Sequence, residues 1–181
     1  MADTARTRAE ILALLANNIS GDISPQDMRD VVVSLLHARG EIAITTPAAT
    51  VVAAMNTWYP VLGTWTLTVA TSGEGFDMPN NGQIRYTGVP ARITFATATF
   101  SFESASGPIV TEWALAKNGT VIDESIMEHY SLGAGVPLGL ASAALISMDT
   151  NDYLTLMVRN TTDTANITAS YAAIVCDAML Q

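Results

Sequence analysis

Two histidines, one cysteine and seventeen acidic residues are the side chains of this 181-residue chain that could do acid–base, nucleophilic or metal chemistry. His129 stands beside Glu128, with Asp123 and Glu124 just upstream, a mixture of imidazole and carboxylate that suits a zinc-type centre. The surrounding residues read as a strand, however, and neighbouring strand residues point to opposite faces, which separates Glu128 and His129 as co-ligands. His37 falls where a helix would end, and a cation there complements the helix dipole. Asp149-Thr150-Asn151-Asp152 opens like a calcium-binding loop but lacks its central glycine and its closing glutamate, so it reads as a solvated turn. Gly133-x-Gly135-x-x-x-Gly139 has the wrong spacing for a dinucleotide loop and contains Pro137. There is no Gly-x-Ser-x-Gly elbow, and no pair of carboxylates stands out for glycoside hydrolysis. Lone Cys176 allows neither an intrachain disulfide nor a cysteine-based zinc site, and it reads as a buried thiol. The expectation is a protein with no catalytic residue, no cofactor and no metal. Hydrolysis of a surface polysaccharide would have to rest on the acids around Glu124 and Glu128.

The elements that hold these residues are strands, and residues 111–160 are the clearest. Asn118-Gly119 supplies the positive φ angles of a type I′ hairpin turn. Trp113 and Leu115 precede it on one face, with Glu112 on the other. After the polar turn 148–152, Leu154, Leu156 and Val158 share one face and Tyr153, Thr155, Met157 and Arg159 the other, as in a sheet packed on one side. Trp65, Leu67 and Val69 alternate with threonines, residues 83–86 form a short strand, and residues 91–103 form a long one. In that long strand Ile93 and Phe95 mark apolar positions and Phe100 is out of phase, so a bulge near residues 96–99 is expected. Residues 125–130 and 167–179 add strands. Residues 141–148 fit helix or strand by pattern, and their place among strands favours strand. Seven to nine short strands with frequent turns predict an antiparallel β-sandwich or jelly roll over residues 58–181.

The first forty residues switch to helical periodicity. Thr7-Arg8-Ala9-Glu10 fits a capping box, followed by an apolar stripe of Ile11, Leu12, Leu14 and Leu15. Ser24 caps a second helix that Pro25 opens and Asp27 supports, with Met28, Val31, Val32, Leu35 and Leu36 on one face and Gly40 placed to stop it. Two such short helices must pack on something to be stable. Three units follow: a helical attachment or oligomerisation segment 1–40, a linker 41–57 and the β domain 58–181.

Charge limits the partners. Charged residues are only 14% of the chain, against about 25% in typical soluble domains, and the net charge is −9. Eight scattered bases form no stripe for phosphate, which argues against nucleic-acid binding. Residues 42–73 carry no charge, yet Pro47, Pro60, Asn56 and strand-like alternation argue against a membrane span. The first residues lack the layout of an export signal, so the Asn-x-Ser/Thr sequons at Asn18, Asn118, Asn160 and Asn166 read as Thr-rich turns. So few charges on a surface suggest burial against other subunits.

Residues 115–122, 151–156 and 167–171, led by Asn118-Gly119, resemble the C-terminal strands of the complement globular-head and tumour-necrosis-factor superfamily. That resemblance implies a jelly roll assembled as a homotrimer. Residues 11–36, centred on Gly21-Asp22-Ile23-Ser24-Pro25-Gln26-Asp27-Met28-Arg29, resemble the N-terminal segments of bacteriophage head fibres and tail-associated fibres. Together they imply a structural virion protein, a capsid decoration, head fibre or tail fibre, assembled in the bacterial host cytoplasm. Ile11, Leu14, Leu15, Met28, Val31, Val32 and Leu35 would attach it to other virion proteins, and the trimeric domain would project. The alternative is a lectin-like adhesin, whose exposed Trp, Tyr and Asn residues would bind a host-surface glycan.

Overall fold

A computed structural model describes residues 10–13, 24–35, 38–70, 75–88 and 91–179. Two antiparallel sheets face each other across one core. The first, sheet A, has the order β11 (Leu138–Met148), β7 (Arg92–Ser104), β13 (Ile167–Met179), β1 (Ala38–Pro47), β4 (Gly63–Ala70), with the short β2 (Ala49–Thr50) against β13. Sheet B runs β10 (Met127–Ser131), β8 (Ile109–Lys117), β12 (Tyr153–Asn160), β6 (Ile84–Tyr86), β5 (Phe76–Asp77), with β3 (Tyr59–Pro60) on β12 and β9 (Thr120–Val121) on β8. This is the expected sandwich.

The core follows from strict alternation. On β8 and β12, Trp113, Leu115, Leu154, Leu156 and Val158 turn inward and are fully buried. They meet Phe100 and Phe102 from β7, whose rings lie 4.3 Å and 4.7 Å from Trp113. Offset aromatic contacts of this kind add about 0.5–1.5 kcal/mol each beyond the area they bury. The Asn118-Gly119 turn has φ of 51° and 81°, as a type I′ hairpin requires, and joins β8 to β9.

Three expectations are corrected. Residues 41–57 are not a free connector, because they hold β2 and all of β1 after Gly40, and β1 pairs with both β13 and β4. Ile42 and Ile44 face the core between Ala43 and Thr45, an alternation hidden by the surrounding threonines. Gly40 does not stop a helix. The helix α1 (Pro25–Leu35) ends earlier, and Gly40 lies in β1, where a Cβ would collide with Phe76. Finally, β7 has no bulge at residues 96–99. It pairs without interruption from Arg92 opposite Met148 to Phe102 opposite Leu138, and the register shift falls between Ala169 and Tyr171 of β13. The even-numbered residues of β7 face the core, so Phe100 is inside and Ile93 and Phe95 are outside.

Candidate interaction surface

The outward face of sheet A is built by this unbroken alternation. Registers set side chains from adjacent strands in rows across the face. One row is Ala141, Thr99, Ala173 and Ala43; the next is Ala143, Thr97, Val175 and Glu41. A third carries Leu145 and Phe95, 67% and 42% exposed, beside Asp177 and Arg39. Tyr171 stands 49% exposed opposite Ser101. From β11 to β13 the first two rows hold small and apolar side chains with no charge. Among the described residues the charges on this face are Glu103, Glu41 and the loose pair of Arg39 with Asp177 at 3.8 Å.

Sheet B presents the opposite character. Arg159 Nε donates to Glu112 at 2.8 Å, and its guanidinium lies 4.7 Å above the Trp58 ring. Lys117 Nζ reaches Asp152 at 2.7 Å, and Arg85 reaches Asp77 at 2.6 Å. The hydrogen bond from Arg85 to Asp77 raises the guanidinium pKa above its ordinary value. Burial alone would raise the Asp152 carboxyl, but hydrogen bonds from Lys117, Asn118 and the Asp149 amide outweigh it and hold the group below the usual carboxylate range. Asp163 is likewise lowered, chiefly by the Ala165 amide, with Ser106 and Asn160 also donating.

Among the described residues, those that could do chemistry are not assembled into a reactive site. His129 packs edge-on to Phe102 at 5.5 Å, with its Nδ1 buried and without a hydrogen-bond partner. Glu128 is exposed beside it, and Asp123 and Glu124 are exposed in a 3₁₀ turn, Asp123–Ser125. Among the described residues no three His, Cys, Asp or Glu side chains converge on a metal position. The 149–152 turn satisfies itself: Asp152 accepts from the Asp149 amide at 2.8 Å and Thr150 donates to the Gly88 carbonyl at 2.7 Å. Cys176 is fully buried, and desolvation pushes its thiol pKa far up, which leaves it unreactive. Of the three tryptophans, Trp65 and Trp113 are in the core, and Trp58 is half-buried under Arg159, which leaves the glycan reading without a freely exposed indole.

The N-terminal residues are partly described. In α1, Ser24 Oγ accepts from the Asp27 amide at 3.1 Å while Asp27 accepts from the Ser24 amide at 3.0 Å, a reciprocal cap. Met28 and Val32 are 51% and 53% exposed, and Val31 is half-buried. Residues 10–13 are helical and Ile11 is buried. Leu14 and Leu15, the Thr7 cap and His37 lie outside the described residues, as does the side chain of Leu35. No described helix is long and apolar enough to cross a membrane.

No protein-family model matches the chain, and no curated protein matches it. Among solved structures, murine APRIL at pH 5.0 aligns with a TM-score of 0.51 and 10% identity, over 80% of this chain and 100% of that one. The fold is a TNF-like jelly roll. Eiger TNF from S. frugiperda (TM-score 0.49, 13% identity, 81% of this chain and 93% of that one) and the PRD1 vertex protein P5 (0.46, 13%, 80% and 97%) are more distant. At such identities the likeness is one of fold alone. Within this jelly roll the sequence pattern missed Ile93, Phe95, Ala141, Ala143 and Leu145 as surface residues. For Ile93 and Phe95 the signal that could have found them is the alternation of residues 96–104, where Ala96, Ala98, Phe100 and Phe102 make one set and Thr97, Thr99, Ser101 and Glu103 the other.

Proposed function

We propose that the chain is a non-enzymatic structural subunit of a phage virion, a homotrimer that meets through the outward face of sheet A and is held to the particle by its N-terminal helices. The observation that carries self-association is the contrast between the two outward faces. Sheet B bears three close ion pairs, whereas two adjoining rows across β11, β7 and β13 of sheet A bear small and apolar side chains with no charge. Five strands about 4.8 Å apart and about ten residues long make a face of roughly 800 Å². A standard interface takes about 800 Å² per partner, so the face is large enough. The trimeric number is supported by the TNF-like jelly roll, a fold whose family members assemble in threes. The virion reading is supported by the resemblance of residues 11–36 to fibre attachment segments, and by the exposed Met28 and Val32 on α1.

Light scattering on the full chain tests the assembly: the expected mass is three times the 19.1 kDa protomer. Leu145→Glu and Ala143→Glu, both at exposed positions, should yield folded monomers. A monomeric wild-type chain would end the self-association reading. Attachment is tested separately with Met28→Asp combined with Val32→Asp, which should leave the trimer intact but prevent incorporation into particles. Full incorporation of that variant would remove α1 as the anchor.

A further inference from the structure

The chain contains two Asn-Gly dipeptides, Asn81-Gly82 and Asn118-Gly119, and the structure gives them different chemical fates. An Asn-Gly peptide can deamidate spontaneously. The amide nitrogen of the glycine, once its proton is taken by solvent, attacks the asparagine Cγ, and the Cγ–Nδ2 bond breaks with release of ammonia. Water then opens the five-membered imide, at one carbonyl to give aspartate and at the other to give a β-linked isoaspartate. The overall exchange is one amide and one water for one carboxylic acid and one ammonia, with no other reactant.

Both asparagines are pinned by two side-chain hydrogen bonds. Asn81 Oδ1 accepts from the Trp65 amide at 2.8 Å, and its Nδ2 donates to the Gly63 carbonyl at 2.7 Å. Asn118 Oδ1 accepts from the Tyr153 amide at 3.0 Å, and its Nδ2 donates to Asp152 Oδ1 at 2.6 Å. The glycines differ. Gly82 is buried, and a Cβ there would sit 3.1 Å from Trp65 Nε1, so the residue whose amide must lose its proton is packed beside the indole and away from solvent. Gly119 is exposed, with only the Tyr153 hydroxyl within reach, at 4.0 Å of a built Cβ. We propose that Asn118 is a spontaneous deamidation site of the folded protein and that Asn81 is shielded from the same reaction.

The product alters a load path. Aspartate at 118 sets a carboxylate where Nδ2 now donates to Asp152, replacing a donor–acceptor contact with two like charges. Lys117, 2.7 Å from the other Asp152 oxygen, can neutralise only one of them. The isoaspartate inserts a carbon into a two-residue turn and displaces the Asn118 amide from the Tyr153 carbonyl, now 3.0 Å away. Either product frees the β8–β9 hairpin tip from the start of β12.

The test is peptide mapping of the full-length folded protein held in mildly alkaline buffer, beside the same protein in urea. The expected result is aspartate and isoaspartate at 118 with residue 81 unchanged in the folded sample, and modification at both sites in urea. No reaction at 118 in the folded sample, or equal reaction at 81, would overturn the assignment. Thermal melting of Asn118→Asp across pH tests the consequence. Its Tm should lie below wild type near neutrality, and the gap should close in acid as one carboxylate of the pair takes up a proton. Identical melting at every pH would overturn the coupling to Asp152.

Discussion

Phe95 and Phe100 lie on one strand with an odd spacing, and that spacing sends one ring outward and the other under Trp113. Residue type alone marks both as core, because hydrophobicity is a poor guide when a sheet is apolar on both faces. Their substitutions should separate accordingly. Phe100→Ala removes a stacked ring from the centre of the core and should cost about 3–5 kcal/mol in urea unfolding. Phe95→Ser should leave the protomer fold unchanged and weaken association in sedimentation or light scattering. Gly40 makes a similar point. Its sequence context suits a helix stop, but its requirement is steric, so Gly40→Ala should destabilise by about 1–3 kcal/mol as Phe76 is forced aside. Acid stability belongs to this scale too. Asp152 and Asp163 have pKa values lowered by folding, so the unfolded chain binds their protons more readily as the pH drops. Their contribution is fully present well above the ordinary aspartate value of about 3.9 and is lost as pH falls through it toward the lowered folded values. Melting temperature should therefore fall in that window, and less steeply in Asp152→Asn.

At the level of elements, the β8–β9 hairpin and β12 were legible because turn chemistry and a clean alternation of large side chains agree. β11 was ambiguous because its sequence is mostly alanine, leucine and serine, which satisfy either period; only its pairing along the whole of β7 decides it. β1 was missed because threonines and Pro47 around Ile42 and Ile44 resemble a loosely ordered connector. β11 is also an edge strand without a single charge, the kind of edge that invites pairing with another chain. One side chain covers part of it, Lys117, whose Nζ donates to the Ser147 carbonyl at 2.6 Å, while Ser142 of β11 itself ties the strand to the 3₁₀ turn by donating to the Ser125 carbonyl at 2.5 Å. The helix α1 depends on its reciprocal cap, so Ser24→Ala should weaken it by about 1 kcal/mol. Faster amide exchange at Asp27 and Met28, with exchange in β7 unchanged, is the expected reading.

For the whole molecule, the distribution of charge matters more than its total. Three close ion pairs and a cation–π contact lie on sheet B, and the neutral rows lie on sheet A. If the copies are bound through sheet A, unfolding is linked to association and the melting temperature rises with protein concentration. A concentration-independent Tm would argue for a free-standing protomer. The strand order carries a mechanical consequence as well. β1, which follows directly after the helical segment, is flanked on both sides, by β13 from Ala38 opposite Ala178 and by β4 up to Pro47 opposite Gly63. The bonds of antiparallel ladders run perpendicular to the strand. Tension arriving from the helices therefore loads two ladders in shear, all bonds together, instead of peeling a border strand one bond at a time. A head tethered by that segment would hold its shape under a pull that tears a hairpin open.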